Sequence, residues 1–284
     1  MASLLMGAPV AEAIGASAKK DIDTLLAKGI TPTLAIVRAG ERPDDLAYEK
    51  GARKRAEALG IRVVTRTLSQ EETQASFEDT VRRISDDPQV HAVLPMRPFP
   101  AQINEDPVRH LIVPEKDVDA VTDTSLAALF AGRTHRFVPC TAEAVMRLLA
   151  HYDIPVSSRH VVIIGRSGVI GRPLAMLFLR QDATVTVCHS KTDDLRAIAK
   201  SADILVSACG RLRMITEEYV RPGQTVIDVG INWDEQAGKI AGDVDASSVA
   251  PVVSALTPVP GGIGAITSAV LCAHVVTAAM QMQT

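Results

Sequence analysis

The stretch VVIIGRSGVIGRP, at residues 161–173, decides the fold of the second half of the chain. Four apolar residues, typical of a strand buried on both faces, run into a turn with three glycines, after which we expect a helix. Glycines permit a tight turn and a close approach of the backbone to a ligand, and a helix N-terminus presents free N–H groups to a pyrophosphate. A glycine turn alone is weak support. Here the sequence also predicts a doubly wound, dinucleotide-binding domain, because further strands are expected at 184–188, 204–208 and 225–229.

The residues after the strand expected at 184–188 indicate which dinucleotide is bound. NAD-binding proteins usually carry an acidic residue near this point, which holds the ribose hydroxyls. This chain instead has Ser190 and Lys191, and the glycine turn adds Arg166. Lone cations are most often solvated surface charges, but their joint placement around the predicted ribose suits a 2′-phosphate. The sequence therefore predicts NADP rather than NAD.

The first half of the chain alternates helix-like and strand-like segments. Helices are predicted at 9–29, 46–59 and 70–86, and short apolar strands at 33–37, 61–65 and 91–94. Such alternation with short connections predicts a parallel sheet with helices on its faces. The apolar stretch from about residue 266 predicts a long final helix. The fold class is α/β, and 284 residues suit two domains better than one core.

Composition narrows the possible partners and compartment. A net charge of −3 with dispersed basic residues argues against nucleic acid as a partner. We expect no membrane span, because no stretch approaches about 20 uninterrupted apolar residues. The four cysteines are far apart and fit no zinc or redox motif, so we expect free thiols, no metal and a cytoplasmic protein; they are Cys140, Cys188, Cys209 and Cys272. His189 follows a cysteine but has no second ligand at suitable spacing.

The glycine turn GRSGVIGRP and the segments AYEKGARKRAEALGI, VIDVGIN and LTPVPGGIGAIT together resemble motifs of the methylenetetrahydrofolate dehydrogenase/cyclohydrolase family. GRSGVIGRP is similar to the family's GRSxxVGxP turn, and AYEKGARKRAEALGI, beginning at Ala47, is similar to its tyrosine-bearing helix. The other motifs follow in the family's order and span nearly the whole chain: PEKDVDAV, CHSKT, VIDVGIN, GDVD and LTPVPGGIGAIT.

The resemblance implies a specific architecture and reaction. An N-terminal folate domain, residues 1–138 completed by 266–284, would face a Rossmann domain, residues 139–265, across a cleft. Such enzymes oxidise 5,10-methylenetetrahydrofolate, most also hydrolyse the methenyl product to 10-formyltetrahydrofolate, and they are usually homodimers. The implied cofactor contacts are Gly165, Arg166, Ser167, Ser190 and Ile231. The implied folate-pocket residues are Tyr48, Met96, Asp119, Pro260, Gly261 and Gly262, with Tyr48 and Asp119 catalytic.

The chain departs from the family pattern at the folate pocket. The usual Tyr-x-x-x-Lys becomes Tyr48 with Ala52 four residues on, and a spacing of four places two side chains on one helical face. The usual VQLPLP loop carries Met96 in place of its glutamine, followed by Arg97. The C-terminal GGVGPMT pattern has lost its proline to Ala265.

These departures predict which reaction is affected. Hydride transfer depends chiefly on positioning, whereas hydrolysis needs water activation and proton transfer, for which a tuned lysine is useful. We predict an NADP-dependent dehydrogenase with weak or absent cyclohydrolase activity. Three alternatives stay open: a different folate or pterin substrate, a non-catalytic folate- or NADP-binding paralogue, and a dehydrogenase that shares only the Rossmann domain. Without the resemblance, Tyr48 would be read as a core residue and Asp119 as a cap or loop charge.

Overall fold

A computed structural model describes residues 2–133 and 137–283, which form two compact units. Each unit consists of two segments of the chain. The Rossmann unit comprises the described residues up to Ala11 and Thr141–Thr267. The N-terminal unit comprises Glu12–Cys140 and the described residues from Ser268 onwards. The sequence predicted that the N-terminal domain begins at residue 1, whereas the structure places the residues up to Ala11 in the Rossmann unit. Strand β1, Ser3–Leu4, pairs in parallel with β11, Ala255–Leu256, in the Rossmann sheet.

The N-terminal unit is built on a parallel sheet of three strands in the order β3-β2-β4. The strands are β2 (Thr33–Ala39), β3 (Arg62–Leu68) and β4 (Ala92–Pro95). All of β2 is buried, as expected for the central strand. The helices are α1 (Gly7–Ala27), α2 (Pro43–Leu59), α3 (Gln74–Asp86), α4 (Glu105–Arg109) and α5 (Asp123–Phe130).

Two residues of the PEKDVDAV segment stabilise this unit rather than forming a pocket. The buried Lys116 ammonium donates hydrogen bonds to the carbonyl oxygens of Ser85 and Asp87, at 2.6 and 2.7 Å, where α3 ends. Such carbonyls have no partner within the helix. The buried Asp117 carboxylate accepts three hydrogen bonds from the start of α5, one of them from the Ser125 hydroxyl at 2.7 Å.

The Rossmann unit contains a parallel sheet of six strands in the order β1-β11-β8-β7-β5-β6. Its further strands are β5 (His160–Ile164), β6 (Thr184–Cys188), β7 (Ile204–Ser207) and β8 (Thr225–Asp228). The helices are α6 (Cys140–His151), α7 (Gly171–Leu179), α8 (Leu195–Ser201) and α9 (Ala246–Val249), and β9 (Asn232–Asp234) and β10 (Lys239–Ala241) form a hairpin. Since β6 and β7 lie on opposite sides of β5, the chain reverses its winding between β5 and β7. In doubly wound sheets, ligands bind in the crevice at this point.

The last helix, α10 (Ile263–Gln281), begins in the Rossmann unit and ends in the N-terminal unit. It is longer and more apolar than expected. The sequence analysis expected no stretch long and apolar enough to span a membrane, but α10 meets both criteria. However, 67% of it is buried inside the protein, as in a core helix.

Two buried aspartates tie together the loops at the carboxyl end of the Rossmann sheet. Asp228 accepts hydrogen bonds from the backbone N–H groups of Gly230, Asp243 and Val244, at 2.9, 3.1 and 2.9 Å. Asp243 accepts five more, one from Asn232 Nδ2 at 2.9 Å and four from the end of β7 and the loop after it. The motifs VIDVGIN and GDVD therefore shape the backbone around the crevice.

Replacing Asp228 by asparagine should change how stability depends on pH. Burial raises the pKa of Asp228 to about 6, although three backbone N–H groups oppose the rise. A carboxyl whose pKa is raised on folding stabilises the fold when protonated, so its contribution is complete below about pH 4 and is lost as the pH rises through about 6. Relative to Asp228→Asn, the native free energy of unfolding should fall by about 3 kcal/mol over that range. Urea unfolding followed by the fluorescence of Trp233, the single tryptophan, measures this difference; a difference that does not vary with pH would contradict it.

Candidate functional site

The glycine turn packs against the end of β7, and only glycine fits at two of its positions. Gly165 has a φ of +134°, and a Cβ there would collide with the carbonyl oxygen of Ala208. A Cβ on Gly171 would collide with the carbonyl oxygen of Gly165, whereas a Cβ on Gly168 would meet open space. The turn thus lies directly after β5, at the point where the winding reverses. Its glycines place backbone without side chains at the crevice.

The start of α7 is organised to receive an anion. The Ser167 hydroxyl accepts a hydrogen bond from Ile170 N–H at 3.1 Å, and the Ser167 carbonyl accepts one from Arg172 N–H at 3.1 Å. Ile170, the residue before α7, gives no side-chain cap. The N–H groups of the first turn therefore meet no capping side chain, as expected of a phosphate-binding helix N-terminus.

The predicted ribose-binding residues lie on exposed loops of the same unit. Arg166, Ser167 and Ser190 are exposed, and so is Lys191. His189 holds its own loop in shape, because its Nδ1 accepts a hydrogen bond from Lys191 N–H at 3.1 Å. Among the described residues, no three His, Cys, Asp or Glu side chains are grouped to hold a metal.

The other predicted loops of the Rossmann unit are anchored by backbone packing. Ile231 is 66% exposed and lies next to Asn232, which Asp243 holds. In the Pro260–Gly262 loop, the carbonyl of Gly261 accepts a hydrogen bond from Gly7 N–H at 2.8 Å. A Cβ on Gly7 would collide with the carbonyl of Gly262. This loop therefore packs tightly on the start of α1.

In the N-terminal unit, the structure brings Tyr48 and Asp119 together. Although 40% of Tyr48 is exposed, burial raises the pKa of its hydroxyl well above 10, and the negative charge of Asp119 adds to the rise. The backbone N–H of Cys140 donates a hydrogen bond to Asp119 Oδ1 at 2.9 Å. Burial raises the pKa of Asp119, while the contacts with Cys140 and the charge of Arg97 lower it.

The departures from the family pattern lie in the same unit. Ala52 is buried, one turn after Tyr48 on α2. Met96 is also buried, and its backbone N–H donates to the carbonyl of Val37 at 2.8 Å, so it continues the pairing of β4 with β2. Apolar side chains therefore occupy the two positions at which the family pattern has lysine and glutamine.

Sequence reasoning did not link three further residues to Tyr48 and Asp119. Cys140, Cys272 and Arg97 come from three separate segments, and no spacing in the sequence links them to Tyr48. His274, on α10, lies beside Cys140: its Nδ1 is 3.6 Å from the thiol sulfur and 2.7 Å from the carbonyl oxygen of Val118. The only available signal was the resemblance itself, which marked Tyr48 and Asp119 and not their surroundings.

Two family descriptions match the chain. Residues 5–119 match "Tetrahydrofolate dehydrogenase/cyclohydrolase, catalytic domain", and residues 139–283 match the "NAD(P)-binding domain" of the same family. The chain belongs to the tetrahydrofolate dehydrogenase/cyclohydrolase family. This confirms the resemblance and the two-part α/β architecture predicted from the sequence.

Relatives of this family are similar over their whole length. The "Bifunctional protein FolD" of Carboxydothermus hydrogenoformans is 48% identical, over 98% of this chain and 97% of its own. The FolD crystal structure from Campylobacter jejuni has a TM-score of 0.96 at 36% identity and covers 99% of each chain. The Trypanosoma brucei FolD structure, complexed with NADP and an inhibitor, has a TM-score of 0.94 at 33% identity and covers 99% of this chain and 98% of its own.

A cofactor-binding test follows from the glycine turn. Gly165→Ala should weaken NADP binding at least tenfold, because its Cβ cannot coexist with the Ala208 carbonyl and the turn must move. Gly168→Ala is the matched control, since its Cβ meets open space, and it should bind as the native protein does. Isothermal titration with NADP measures both, and far-UV circular dichroism checks that each variant is folded. Equal affinities for the two variants would show that the turn does not form the site.

Proposed function

We propose that this protein oxidises 5,10-methylenetetrahydrofolate to 5,10-methenyltetrahydrofolate with NADP, and that its cyclohydrolase activity is weak or absent. The observation that supports the first part is that the charge of Asp119 acts on the Tyr48 hydroxyl in a chain that belongs to this family. The second part rests on Ala52 and Met96, which leave the pocket without its usual lysine and glutamine.

The residues of the Rossmann unit fit a dinucleotide with a 2′-phosphate. Gly165 and Gly171 allow the backbone of the turn to pack closely before α7, whose N-terminus would receive the pyrophosphate, and Arg166 offers an exposed cation for the 2′-phosphate. The related enzyme of Trypanosoma brucei is described in complex with NADP. Bound NADP would supply the hydride acceptor, and the chain supplies binding and orientation.

Tyr48 and Asp119 would orient the folate ring by hydrogen bonding. Because the pKa of Tyr48 lies well above 10, its hydroxyl stays protonated near neutral pH and donates a hydrogen bond. An ionised Asp119 accepts hydrogen bonds from ring N–H groups. Positioning of this kind serves hydride transfer, in which no side chain need exchange a proton.

Hydrolysis of the methenyl product makes a demand that these residues do not meet. A general acid or base works best when its pKa is near the working pH. Tyr48 holds its proton too tightly, burial raises the pKa of Cys272 to about 12, and Ala52 and Met96 carry no proton to exchange. The FolD relatives are named bifunctional, so a lost second activity would distinguish this chain from them.

A single spectrophotometric assay tests the proposed function. With 5,10-methylenetetrahydrofolate and NADP, reduced cofactor should form while methenyltetrahydrofolate accumulates, and Asp119→Asn should lower kcat/KM at least tenfold with little change in NADP affinity. The double variant Ala52→Lys/Met96→Gln returns the missing pair and should shorten the lifetime of the methenyl product. Reduced cofactor without methenyl accumulation in the native protein would disprove the loss of hydrolysis. No turnover despite NADP binding would favour another pterin substrate or a non-catalytic paralogue.

Cofactor preference has its own test. Arg166→Gln should lower kcat/KM with NADP roughly tenfold and leave kcat/KM with NAD nearly unchanged, because it removes a charge that meets only the 2′-phosphate. Arg180→Gln, just after the other end of α7, is the matched control and should alter neither value. Equal losses with both cofactors would place Arg166 at the pyrophosphate instead of the 2′-phosphate.

We also propose a homodimer, which the family resemblance implies. The β9–β10 hairpin presents Trp233, 62% exposed, paired across the strands with Ile240. Large apolar side chains exposed together often mark an interaction surface.

A further inference from the structure

The turn that carries Asp119 has a strained backbone. The next residue, Ala120, is buried and has a φ of +49°, in the left-handed region that alanine rarely adopts. Its N–H donates to the carbonyl of Asp117 at 3.2 Å, which closes the turn across Val118 and Asp119. A residue persists in this region only when its surroundings hold it there. The contacts that hold the turn therefore decide where the Asp119 carboxyl lies.

The peptide that precedes Asp119 is held from other parts of the N-terminal unit. The carbonyl oxygen of Val118 lies 2.7 Å from Nδ1 of His274, a buried residue of α10. The Cys140 thiol donates to the same oxygen at 3.3 Å, and the Cys140 N–H donates to the Asp119 carboxyl at 2.9 Å. The ring of Phe137 packs on the imidazole of His274, with centroids 4.9 Å apart. The imidazole thus has a defined orientation toward this peptide.

The 2.7 Å contact identifies a proton on His274. A carbonyl oxygen can only accept hydrogen bonds, so Nδ1 of His274 carries a proton and donates it to Val118. The peptide group between Val118 and Asp119 is planar, and its plane includes the Cα atom of Asp119. A bond that fixes the carbonyl oxygen therefore fixes the rotation of this plane, and with it the point from which the Asp119 side chain extends.

We propose that His274 is a positioning residue, which holds the peptide before Asp119 and so aims the Asp119 carboxyl at a folate-type ring. The substrate class rests on the proposed function, whereas the hold on the turn rests on the contacts of His274. Without the donor, the strain at Ala120 favours relaxation of the turn, and the carboxyl moves with it. A misplacement of about 1 Å can slow an oriented reaction about 100-fold.

Hydrogen exchange of the Ala120 amide tests the hold on the turn, in the full-length protein and without substrate. His274→Leu is similar in size but has no donor, and it should speed this exchange about tenfold relative to the amides of β2, which report on global unfolding. His274→Asn should restore slow exchange, because its Nδ2 is attached to Cγ, as Nδ1 of histidine is, and can donate to the same carbonyl. Val276→Ala is the matched control, since it removes buried methyl groups from α10 but no donor, and it should not speed Ala120 relative to β2.

Three further measurements connect the turn to its role. Long-range ¹H–¹⁵N NMR of the native protein should show that Nδ1 of His274 is protonated. His274→Leu should lower kcat/KM for 5,10-methylenetetrahydrofolate about tenfold with little change in NADP affinity, and His274→Asn should restore it. In an Ala120→Gly background, His274→Leu should cost less activity, because glycine adopts a positive φ without strain.

The outcomes separate this inference from the proposed function. An unprotonated Nδ1, unchanged Ala120 exchange in His274→Leu or equal acceleration in Val276→Ala would overturn the hold on the turn, whatever the enzyme catalyses. Faster exchange with native kcat/KM in His274→Leu would overturn the positioning role and leave the proposed function intact. The expected exchange in a protein that does not oxidise 5,10-methylenetetrahydrofolate would support the hold on Asp119 and refute only the proposed function. If His274→Leu does not fold, His274→Met also lacks a donor, fills irregular space and gives the answer.

Discussion

The protonation states in the pocket of the N-terminal unit depend on one electrostatic balance, at the half-buried carboxyl group of Asp119. Burial alone would favour its protonated form. The backbone N–H of Cys140 and the guanidinium of Arg97 act in the opposite direction, and they come from elements far apart in the sequence. Tyr48, which faces the same carboxylate, keeps its proton for the same reason. The protonation states of the pocket are thus set together, and this favours binding and orientation over proton exchange.

The glycine turn of the Rossmann unit is fixed mainly by steric constraints. Gly165 and Gly171 are required because backbone carbonyls occupy the space that a side chain would need. The buried carboxylates of Asp228 and Asp243 then hold the loops around the turn through eight hydrogen bonds. Many residues of the motifs that indicate a cofactor site in the sequence therefore shape the backbone of that site and do not themselves face the crevice as ligand-binding side chains. The exposed Arg166, Ser190 and Ile231 remain to make contact with a ligand.

The sequence predicted the buried strands well because a short apolar run reports directly on burial. The strand predicted at 33–37, for example, is β2, Thr33–Ala39. It missed β1 because two residues carry no periodic signal, and their pairing with Ala255–Leu256 is fixed by contacts distant in the chain. For the same reason Tyr48 and Asp119 were identified only through the family resemblance, and the environment of Asp119 was not. Arg97 departs from the family's loop in the sequence, but its ion pair with Glu105, at 3.1 Å, is seen only in the structure.

We propose that this pocket orients a folate without activating water. Its most direct test is to add 5,10-methenyltetrahydrofolate to the protein, with no cofactor present, and to follow the loss of the methenyl chromophore beside a protein-free sample and a bifunctional FolD. We expect the protein to leave the rate of decay at its value in buffer, or close to it, while the bifunctional enzyme accelerates it. Acceleration comparable to that of the bifunctional enzyme would mean that the pocket hydrolyses the methenyl compound without the lysine, and would disprove the loss of hydrolysis.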